Sequence, residues 1–242
     1  MDVAIVKVGG SLALHPEKLR ILCAKLSEVS KKCKLIVVPG GGEFADAVRN
    51  VNKRFSLSSA ISHRMAILGM DQYGFLLSDL MPHSSITDKL EEAQRILDLG
   101  KLPVFLPSNF LFSKDPLENS WDVTSDSIAV YVAGQLHASR VVLVTDVNGV
   151  YTCDPKKFSD AKLISKLSAE DLLKMNKRTS VDKFLPKLLL QLQIECFVVN
   201  GLYPDRVEPV LDGRDAVCTV INRKPQNLRH TKYPYTDCLN TF

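Results

Sequence analysis

Short runs of valine, isoleucine and leucine alternate with longer amphipathic segments along most of this chain. Runs such as "VAIVKV", "KLIVV", "LPVFL" and "RVVLV" have the apolar character of strands that are covered on both faces. Segments with helical periodicity, such as "EKLRILCAKLSEVSKK", separate these runs. The repeated order of strand and helix predicts an α/β protein, a three-layer αβα sandwich with a mostly parallel central sheet.

Size and composition limit the class of protein. The chain has 242 residues, of which 45% are hydrophobic, so it can form one sizeable core. A net charge of +4 gives no reason to expect a nucleic-acid or membrane partner. The sequence shows no signal peptide and no apolar run long enough to span a bilayer. Its six cysteines form no Cys-x-x-Cys pair, which indicates reduced thiols and a cytoplasmic location.

Glycine-rich turns follow two of the predicted strands, at Gly9-Gly10-Ser11 and at Gly40-Gly41-Gly42, and a third turn runs from Asp146 to Gly149. Because parallel strands end at the same edge of a sheet, we expect these turns to lie close together. A glycine turn before a helix exposes backbone N–H groups to an oxyanion, and the helix dipole favours negative charge. Either glycine turn alone could be only a tight turn, but two of them favour a phosphate site.

Lys7 lies inside the first apolar strand, directly before the first glycine turn. A lysine in such a strand is costly unless its ammonium emerges beside an anion, so Lys7 favours a phosphate ligand. The chain has neither the Gly-x-x-x-x-Gly-Lys-[Ser/Thr] motif nor a Gly-x-Gly-x-x-Gly motif after a strand. The predicted phosphate site is therefore of another type.

Four segments resemble the amino acid kinase family when they are taken in order: "KVGGS" (7–11), "PGGGEFAD" (39–46), "VTSDSIAVYVAG" (123–134) and "LVTDVNGVYTCDP" (143–155). The resemblance implies the amino acid kinase fold.

The same resemblance implies a domain organisation. It predicts a single domain over residues 1–222, with an acceptor-binding half at about 1–135 and a nucleotide-binding half at about 136–222. Residues 223–242 are predicted to form an irregular basic tail.

The resemblance also implies a catalytic set of Lys7, Asp126 and a second lysine, for which Lys187 is the match and Lys183 an alternative. Phosphoryl transfer needs cations and N–H groups aimed at the transferred oxygens. A buried Asp126 could hold the lysines in place, although its residue type also suits a helix N-cap. ATP is expected as phosphoryl donor with Mg²⁺ bridging its phosphates, and no dedicated metal ligands are assigned.

Two further groups of residues are candidates for ligand binding. The first follows from the resemblance, and the second combines the glycine turn that the resemblance implies with side chains chosen by residue type and position. The ATP and phosphate group comprises Gly9, Gly10, Ser11, Thr145, Asp146, Gly149, Tyr151, Asp154 and Pro155. The acceptor group comprises Gly40, Gly41, Gly42, Arg64, Asp71, Trp121 and Asp122, with His63 and Tyr73 as further candidates. Arg64 also fits a surface arginine, and the segment around Asp71 also fits a break in a long helix.

Within the family, "HRMAILGMDQYGFLLSD", "WDVTSDSIAVYVA" and "VVNGLYPDRV" resemble the branch that phosphorylates an aminomethylfuran phosphate to its diphosphate in methanofuran biosynthesis. This resemblance implies small-molecule substrates, ATP and a phosphate monoester carrying an amine, together with an archaeal source and a homodimer or higher homo-oligomer. Two alternatives stay open. One is a uridylate kinase or another small-acceptor kinase of the same fold, and the other is a nucleotide-binding storage or sensor protein.

Overall fold

The computed structural model describes residues 3–114, 116–176 and 179–222. The predicted basic tail, 223–242, lies outside the described residues. The strands are β1 (Ala4–Val8), β2 (Leu35–Pro39), β3 (Ser84–Thr87), β4 (Leu102–Phe105), β5 (Arg140–Thr145), β6 (Val150–Tyr151), β7 (Leu163–Ile164), β8 (Lys166–Ser168), β9 (Glu195–Asn200) and β10 (Cys218–Asn222).

The α-helices are α1 (Pro16–Val29), α2 (Gly42–Phe55), α3 (Ser59–Leu80), α4 (Leu90–Asp98), α5 (Ser108–Lys114), α6 (Ser125–Gln135), α7 (Ala169–Met175), α8 (Leu185–Leu192) and α9 (Val207–Leu211). Short 3₁₀ helices cover Gly10–Leu14 and Pro204–Arg206. In the part of the chain that the structure describes, no helix has the length and apolar character needed to cross a membrane.

An eight-stranded sheet forms the middle of the fold, with the strand order β3-β4-β2-β1-β5-β9-β10-β8. Neighbouring strands are parallel except β9 and β10, which are antiparallel. Strands β6 and β7 form a separate antiparallel pair. The mostly parallel sheet that the sequence predicts is therefore present, and β1 lies near its centre between β2 and β5.

Each face of the sheet packs against its own hydrophobic cluster. Alternate residues of β1 show the division, because Ile5 belongs to the cluster shared with α6 and α8, whereas Val6 belongs to the cluster shared with α1 and α9. Helices therefore cover both faces, as a three-layer sandwich requires. Lys7 has the same parity along β1 as Ile5, and this parity directs its side chain towards α6.

Some local elements differ from the sequence-based expectation. The short strands β3 and β8 and the short helices α5 and α9 carry too little periodicity to be predicted. Helix α3 runs through residues 70–74 without interruption, so the helix break considered around Asp71 is absent.

Candidate active site

A cleft of about 300 Å³ opens at the carboxyl ends of β1, β2 and β5. Its walls include the two glycine turns, the start of α2, the first half of α3, the start of α6 and Thr145 at the end of β5. The turns after β1, β2 and β5 thus share one edge of the sheet, which confirms the expectation drawn from the parallel strands.

Lys7 and Asp126 form a buried ion pair at the floor of this cleft. The Nζ of Lys7 lies 2.7 Å from Oδ1 of Asp126, and the two side chains are only 10% and 9% exposed. Asp126 lies in the first turn of α6, where the helix dipole favours a negative charge. The N-cap of α6 is Thr124, so the alternative reading of Asp126 as the N-cap is wrong.

The two glycine turns are in direct backbone contact. A Cβ atom at Gly10 would lie only 2.0 Å from the backbone nitrogen of Gly42, so a larger residue cannot fit there. The turns are tied to the sheet by hydrogen bonds from Gly9 N to Val144 O (2.7 Å) and from Gly40 N to Val8 O (2.8 Å). The close approach places the starts of two helices side by side.

Amide groups at these helix starts suit an anion. Gly10 and Ser11 are the first residues of a 3₁₀ helix, and Gly42 and Glu43 are the first residues of α2. At these positions backbone N–H groups have no acceptor within their own helix. Together with Lys7, which lines the same cleft, the helix starts form the kind of site that binds phosphate oxygens.

Asp182, which the sequence reasoning overlooked, connects the starts of α6 and α8. Its carboxylate accepts hydrogen bonds from the backbone N–H groups of Thr124 (2.9 Å), Ser127 (3.0 Å) and Leu185 (2.9 Å). The hydroxyl groups of Thr124 (2.9 Å) and Ser127 (2.5 Å) also donate to it. The backbone N–H of Asp182 donates to Oδ2 of Asp126 at 3.2 Å, so Asp182 helps to fix the carboxylate that holds Lys7.

The pKa of Asp182 is raised, first by burial of its carboxyl group and then by the negative charge of nearby Asp126. The hydrogen bonds from Ser127 and Thr124 oppose this rise because they stabilise the charged form.

The predicted nucleotide residues fall into two sets. Gly9, Gly10, Ser11 and Thr145 line the cleft. Gly149, Tyr151, Asp154 and Pro155 lie in the chain segment after β5 and do not line it.

Asp146 lies at the edge of the cleft without lining it. Its carboxylate pairs with the ammonium of Lys156 and accepts a hydrogen bond from Ser11. Burial alone would raise its pKa, but the hydrogen bond and charge of Lys156 together with the Ser11 bond outweigh burial and lower the pKa. Asp146 therefore links the first glycine turn to the segment after β5.

The predicted acceptor residues are also divided. Gly41, Gly42 and Trp121 line the cleft, as does His63, whose Nδ1 lies 3.2 Å from the carbonyl oxygen of Ser120. Tyr73 is buried below the first glycine turn and donates to Gly9 O at 3.3 Å.

The remaining acceptor candidates do not line the cleft: Gly40, Arg64, Asp71 and Asp122. Arg64 lies over the Phe112 ring, with 5.3 Å between its Cζ and the ring centroid. Asp71 accepts hydrogen bonds from the backbone N–H and the hydroxyl of Ser108.

Neither lysine of the "SVDKFLPK" segment lines the cleft. Lys183 is exposed, and its Nζ lies 3.6 Å from Oδ1 of Asp122. Lys187 is exposed on α8, with its Nζ 5.1 Å from the centroid of the Phe184 ring. The structure therefore does not bring either one beside Lys7, and a catalytic role for Lys187 stays a prediction.

Three charged residues of α2 line the cleft although the sequence reasoning did not select them: Glu43, Asp46 and Arg49. Arg49 Nη1 lies 2.5 Å from Asp46 Oδ1, and its Cζ lies 4.9 Å from the centroid of the Trp121 ring. Their spacing of three residues after the second glycine turn places them on one helix face. That spacing is visible in the sequence, but it does not show that this face of α2 borders the cleft.

Comparison with known proteins finds kinases that match most of the chain. The protein described as [5-(aminomethyl)furan-3-yl]methyl phosphate kinase from Methanocaldococcus jannaschii is 36% identical over 217 residues, covering 90% of this chain and 96% of the relative. A uridylate kinase from the same organism is 27% identical over 214 residues, covering 81% of this chain and 90% of the relative.

Solved structures show the same fold. The crystal structure of uridylate kinase from Archaeoglobus fulgidus matches with a TM-score of 0.73 and 23% identity, covering 91% of this chain and all of that chain. The expected amino acid kinase fold is thereby confirmed.

A model of the amino acid kinase family matches residues 2–200. Together with the kinase relatives, this match confirms the expectation of an ATP-dependent phosphotransferase. The chain belongs to the amino acid kinase family.

Proposed function

We propose that this protein transfers the γ-phosphoryl group of ATP to the phosphate group of [5-(aminomethyl)furan-3-yl]methyl phosphate, a step of methanofuran biosynthesis. The products are the corresponding diphosphate and ADP. The observation that carries the proposal is the buried Lys7–Asp126 pair, with 2.7 Å between Nζ and Oδ1, beside two touching glycine turns. The choice of acceptor is supported by the 36% identity to the M. jannaschii kinase that bears this name.

The residues at the floor of the cleft suit this reaction. An oxygen of the acceptor phosphate attacks the γ-phosphorus of ATP, and the bond to the oxygen that bridges the β-phosphate breaks. The negative charge on the transferred group is spread over its oxygens, and the Lys7 ammonium with the amides of both turns can stabilise it. Asp126 orients that ammonium.

A phosphate acceptor also explains why Asp126 can be committed to Lys7. The second pKa of a phosphate monoester is about 6, so at neutral pH the attacking group is already largely a dianion. The reaction therefore needs no general base, unlike phosphorylation of a hydroxyl group.

Magnesium is expected to enter with ATP. Protein-bound Mg²⁺ takes many of its ligands from water and substrate phosphates, with one or two carboxylates from the protein. The carboxylate of Asp126 is within reach of the cleft but is paired with Lys7. The donor set fits an ion held mainly by the phosphates of ATP, whose charge it would help to neutralise.

Parallel assays of ADP release test the proposal. With ATP and Mg²⁺ present, we expect the aminomethylfuran phosphate to stimulate ADP release far more than UMP at equal concentration. A larger effect of UMP would favour the uridylate kinase alternative, in line with the 27% identical relative. ATP binding without stimulation by either compound would favour a storage or sensor protein.

We propose in addition that two or more copies associate through α3. Three large apolar residues spaced by seven lie exposed along this helix: Ile61 (52% exposed), Leu68 (47%) and Phe75 (58%). Such spacing makes one apolar stripe that a second copy could cover. Light scattering should give a multiple of the mass of one chain for the unchanged protein, and Leu68→Asp should reduce it. A single-chain mass for the unchanged protein would contradict this.

The proposed location is the cytoplasm. The cysteines at positions 23, 33, 153, 196 and 218 are free thiols, which suits a reducing compartment.

A further inference from the structure

We propose that Asp46 and Arg49 select the acceptor, with Arg49 binding its phosphate group and Asp46 binding its ammonium group. This inference rests on the proposed function, because it assumes an acceptor that carries both groups. It adds a pair of specificity-determining residues that the sequence reasoning did not identify.

The geometry of Arg49 suits a phosphate ligand. Its guanidinium lies over Trp121, with 4.9 Å between Cζ and the ring centroid, and its Nη1 contacts Asp46 Oδ1 at 2.5 Å. An arginine has five N–H donors in a planar fork, so it can keep both contacts and still bind phosphate oxygens through other donors. The stacking also restricts the side chain, which reduces the entropy lost on binding.

The distribution of cations supports this role. Among the described residues that line the cleft, Lys7 and Arg49 are the lysine and arginine side chains. Lys7 is held by Asp126 beside the glycine turns, where the transferred group is expected. A second anionic group, the acceptor phosphate, needs a second cation, and Arg49 is the arginine that the described lining provides in addition to Lys7.

The carboxylates of α2 support selection of an amine. Asp46 and Glu43 line the same cleft as Arg49 and Trp121. A carboxylate attracts an ammonium group and repels a phosphate monoester that lacks one, so Asp46 can discriminate in both directions. An acceptor with a planar ring between its phosphate and its amine could contact Trp121 while its two ends meet the oppositely charged side chains.

An exposed ion pair on a helix is also a common surface feature of little energetic value. Another helix of this chain carries an ion pair of the same kind outside the cleft. On α4, Arg95 Nη1 lies 3.2 Å from Glu92 Oε2 with the same spacing of three residues, and neither side chain lines the cleft. Variants of that pair are therefore matched controls.

The test measures acceptor binding without ATP by titration calorimetry. The ligands are the aminomethylfuran phosphate and an analogue in which a hydroxyl replaces the amine. The variants are Asp46→Asn and Arg49→Met, with Glu92→Gln and Arg95→Met as controls. Trp121 is the single tryptophan of the chain, so a change in its fluorescence shows that binding occurs in the cleft.

We expect the unchanged protein to bind the amine at least about tenfold more tightly than the hydroxyl analogue. Asp46→Asn should reduce this ratio to near one. Arg49→Met should raise the Kd of both ligands by about tenfold or more. The control variants should bind both ligands as tightly as the unchanged protein does. If Arg49→Met does not fold, Arg49→Lys serves instead and should show a smaller loss for both ligands.

The inference is overturned if the unchanged protein does not prefer the amine, if Asp46→Asn keeps the full preference, or if the Arg49 variant binds as tightly as the controls. These failures can be separated from failure of the proposed function. If the unchanged protein phosphorylates the aminomethylfuran phosphate but Asp46→Asn keeps the full preference for it, the inference fails and the proposed function stands. If binding of the amine depends on Asp46 but no ADP is released in the presence of ATP, the proposed reaction fails and the inference about binding stands.

Discussion

The ammonium of Lys7 lies 2.7 Å from the carboxylate of Asp126 at the point where β1 meets the first turn of α6. The contact joins the centre of the sheet to the helix that covers it. Both side chains are buried, so each charge depends on the other for stabilisation. The same contact orients the ammonium towards the cleft, which gives the pair a structural and a catalytic role that can be measured separately.

Replacing Lys7 should abolish most of the activity. We expect Lys7→Met to lower kcat by about a hundred- to a thousandfold, since it removes a cation aimed at the transferred group. It should also destabilise the fold by about 3–5 kcal/mol, because Asp126 is left as an unpaired buried charge. Steady-state kinetics and urea unfolding measure the two effects.

The double variant Lys7→Met/Asp126→Asn separates these roles. It should recover much of the lost stability, because no unpaired charge remains, while kcat stays low. Lys34→Met is the control, since the partly exposed Lys34 pairs with Asp98 at 3.0 Å outside the cleft. Recovery of turnover in the double variant would contradict the catalytic role of Lys7.

The contact between the glycine turns can be tested with one methyl group. We expect Gly10→Ala to force the turns apart, because the added Cβ would lie 2.0 Å from Gly42 N and 2.2 Å from Gly42 Cα. Activity should fall by about tenfold or more, as the amides lose their alignment.

Gly100→Ala provides a control of similar chemistry. Gly100 has a φ of +70° and no atom within 4 Å of an added Cβ, so this change strains the end of α4 without touching the cleft. It should lower stability by about 1 kcal/mol and leave kcat unchanged. Equal loss of kcat in both variants would show that the contact between the turns has no special role.

Asp182 is expected to be needed for both stability and activity. In Asp182→Asn an amide NH₂ replaces one carboxylate oxygen among several donors, so some donors at the starts of α6 and α8 lose their acceptor. The free energy of unfolding should fall by about 1–3 kcal/mol or more. The kcat should fall too, because Asp126 loses its support.

Asp171→Asn is the comparison for Asp182. Asp171 also accepts a hydrogen bond from a serine hydroxyl at a helix start (Ser168, 2.6 Å), but its side chain is 48% exposed, whereas Asp182 is buried. If urea unfolding shows the same small change for both variants, Asp182 is not the structural link described here.

The contact of Glu208 with α1 should make stability depend on pH in acid. Hydrogen bonds from Lys25 and then Lys32 lower the pKa of Glu208 from 4.5 to about 2. Because the folded pKa lies below the unfolded value, the stabilisation is complete above pH 4.5 and is lost as the pH falls towards 2. Urea unfolding at pH 6 and pH 3 should therefore show a smaller loss for Glu208→Gln than for the unchanged protein. An equal loss in both proteins would contradict this assignment.

The floor of the cleft was predictable from the sequence. A lysine within an apolar strand and glycines directly after it leave few alternatives to an anion site, and parallel strands bring their turns together. The position of Asp126 followed from the family resemblance.

The cleft wall was harder to predict, because it depends on tertiary contacts. Asp46 and Arg49 resemble any charged pair on an exposed helix until α2 is placed against Trp121. Asp182 forms hydrogen bonds with Thr124 and Ser127, which lie more than 50 residues earlier in the chain. No local sequence pattern predicts that contact. Lys187 matched a family position in sequence, but α8 presents it over the Phe184 ring.

The central claim is that the Lys7 site joins the γ-phosphoryl group of ATP to a phosphate group. Phosphorus NMR of the protein with ATP, Mg²⁺ and the aminomethylfuran phosphate tests it most directly. We predict that the monoester signal declines while the two coupled signals of a new diphosphate and those of ADP grow at equal rates, and that Lys7→Met suppresses all of these changes. Persistence of the monoester signal while ATP is converted to ADP and inorganic phosphate would contradict the claim.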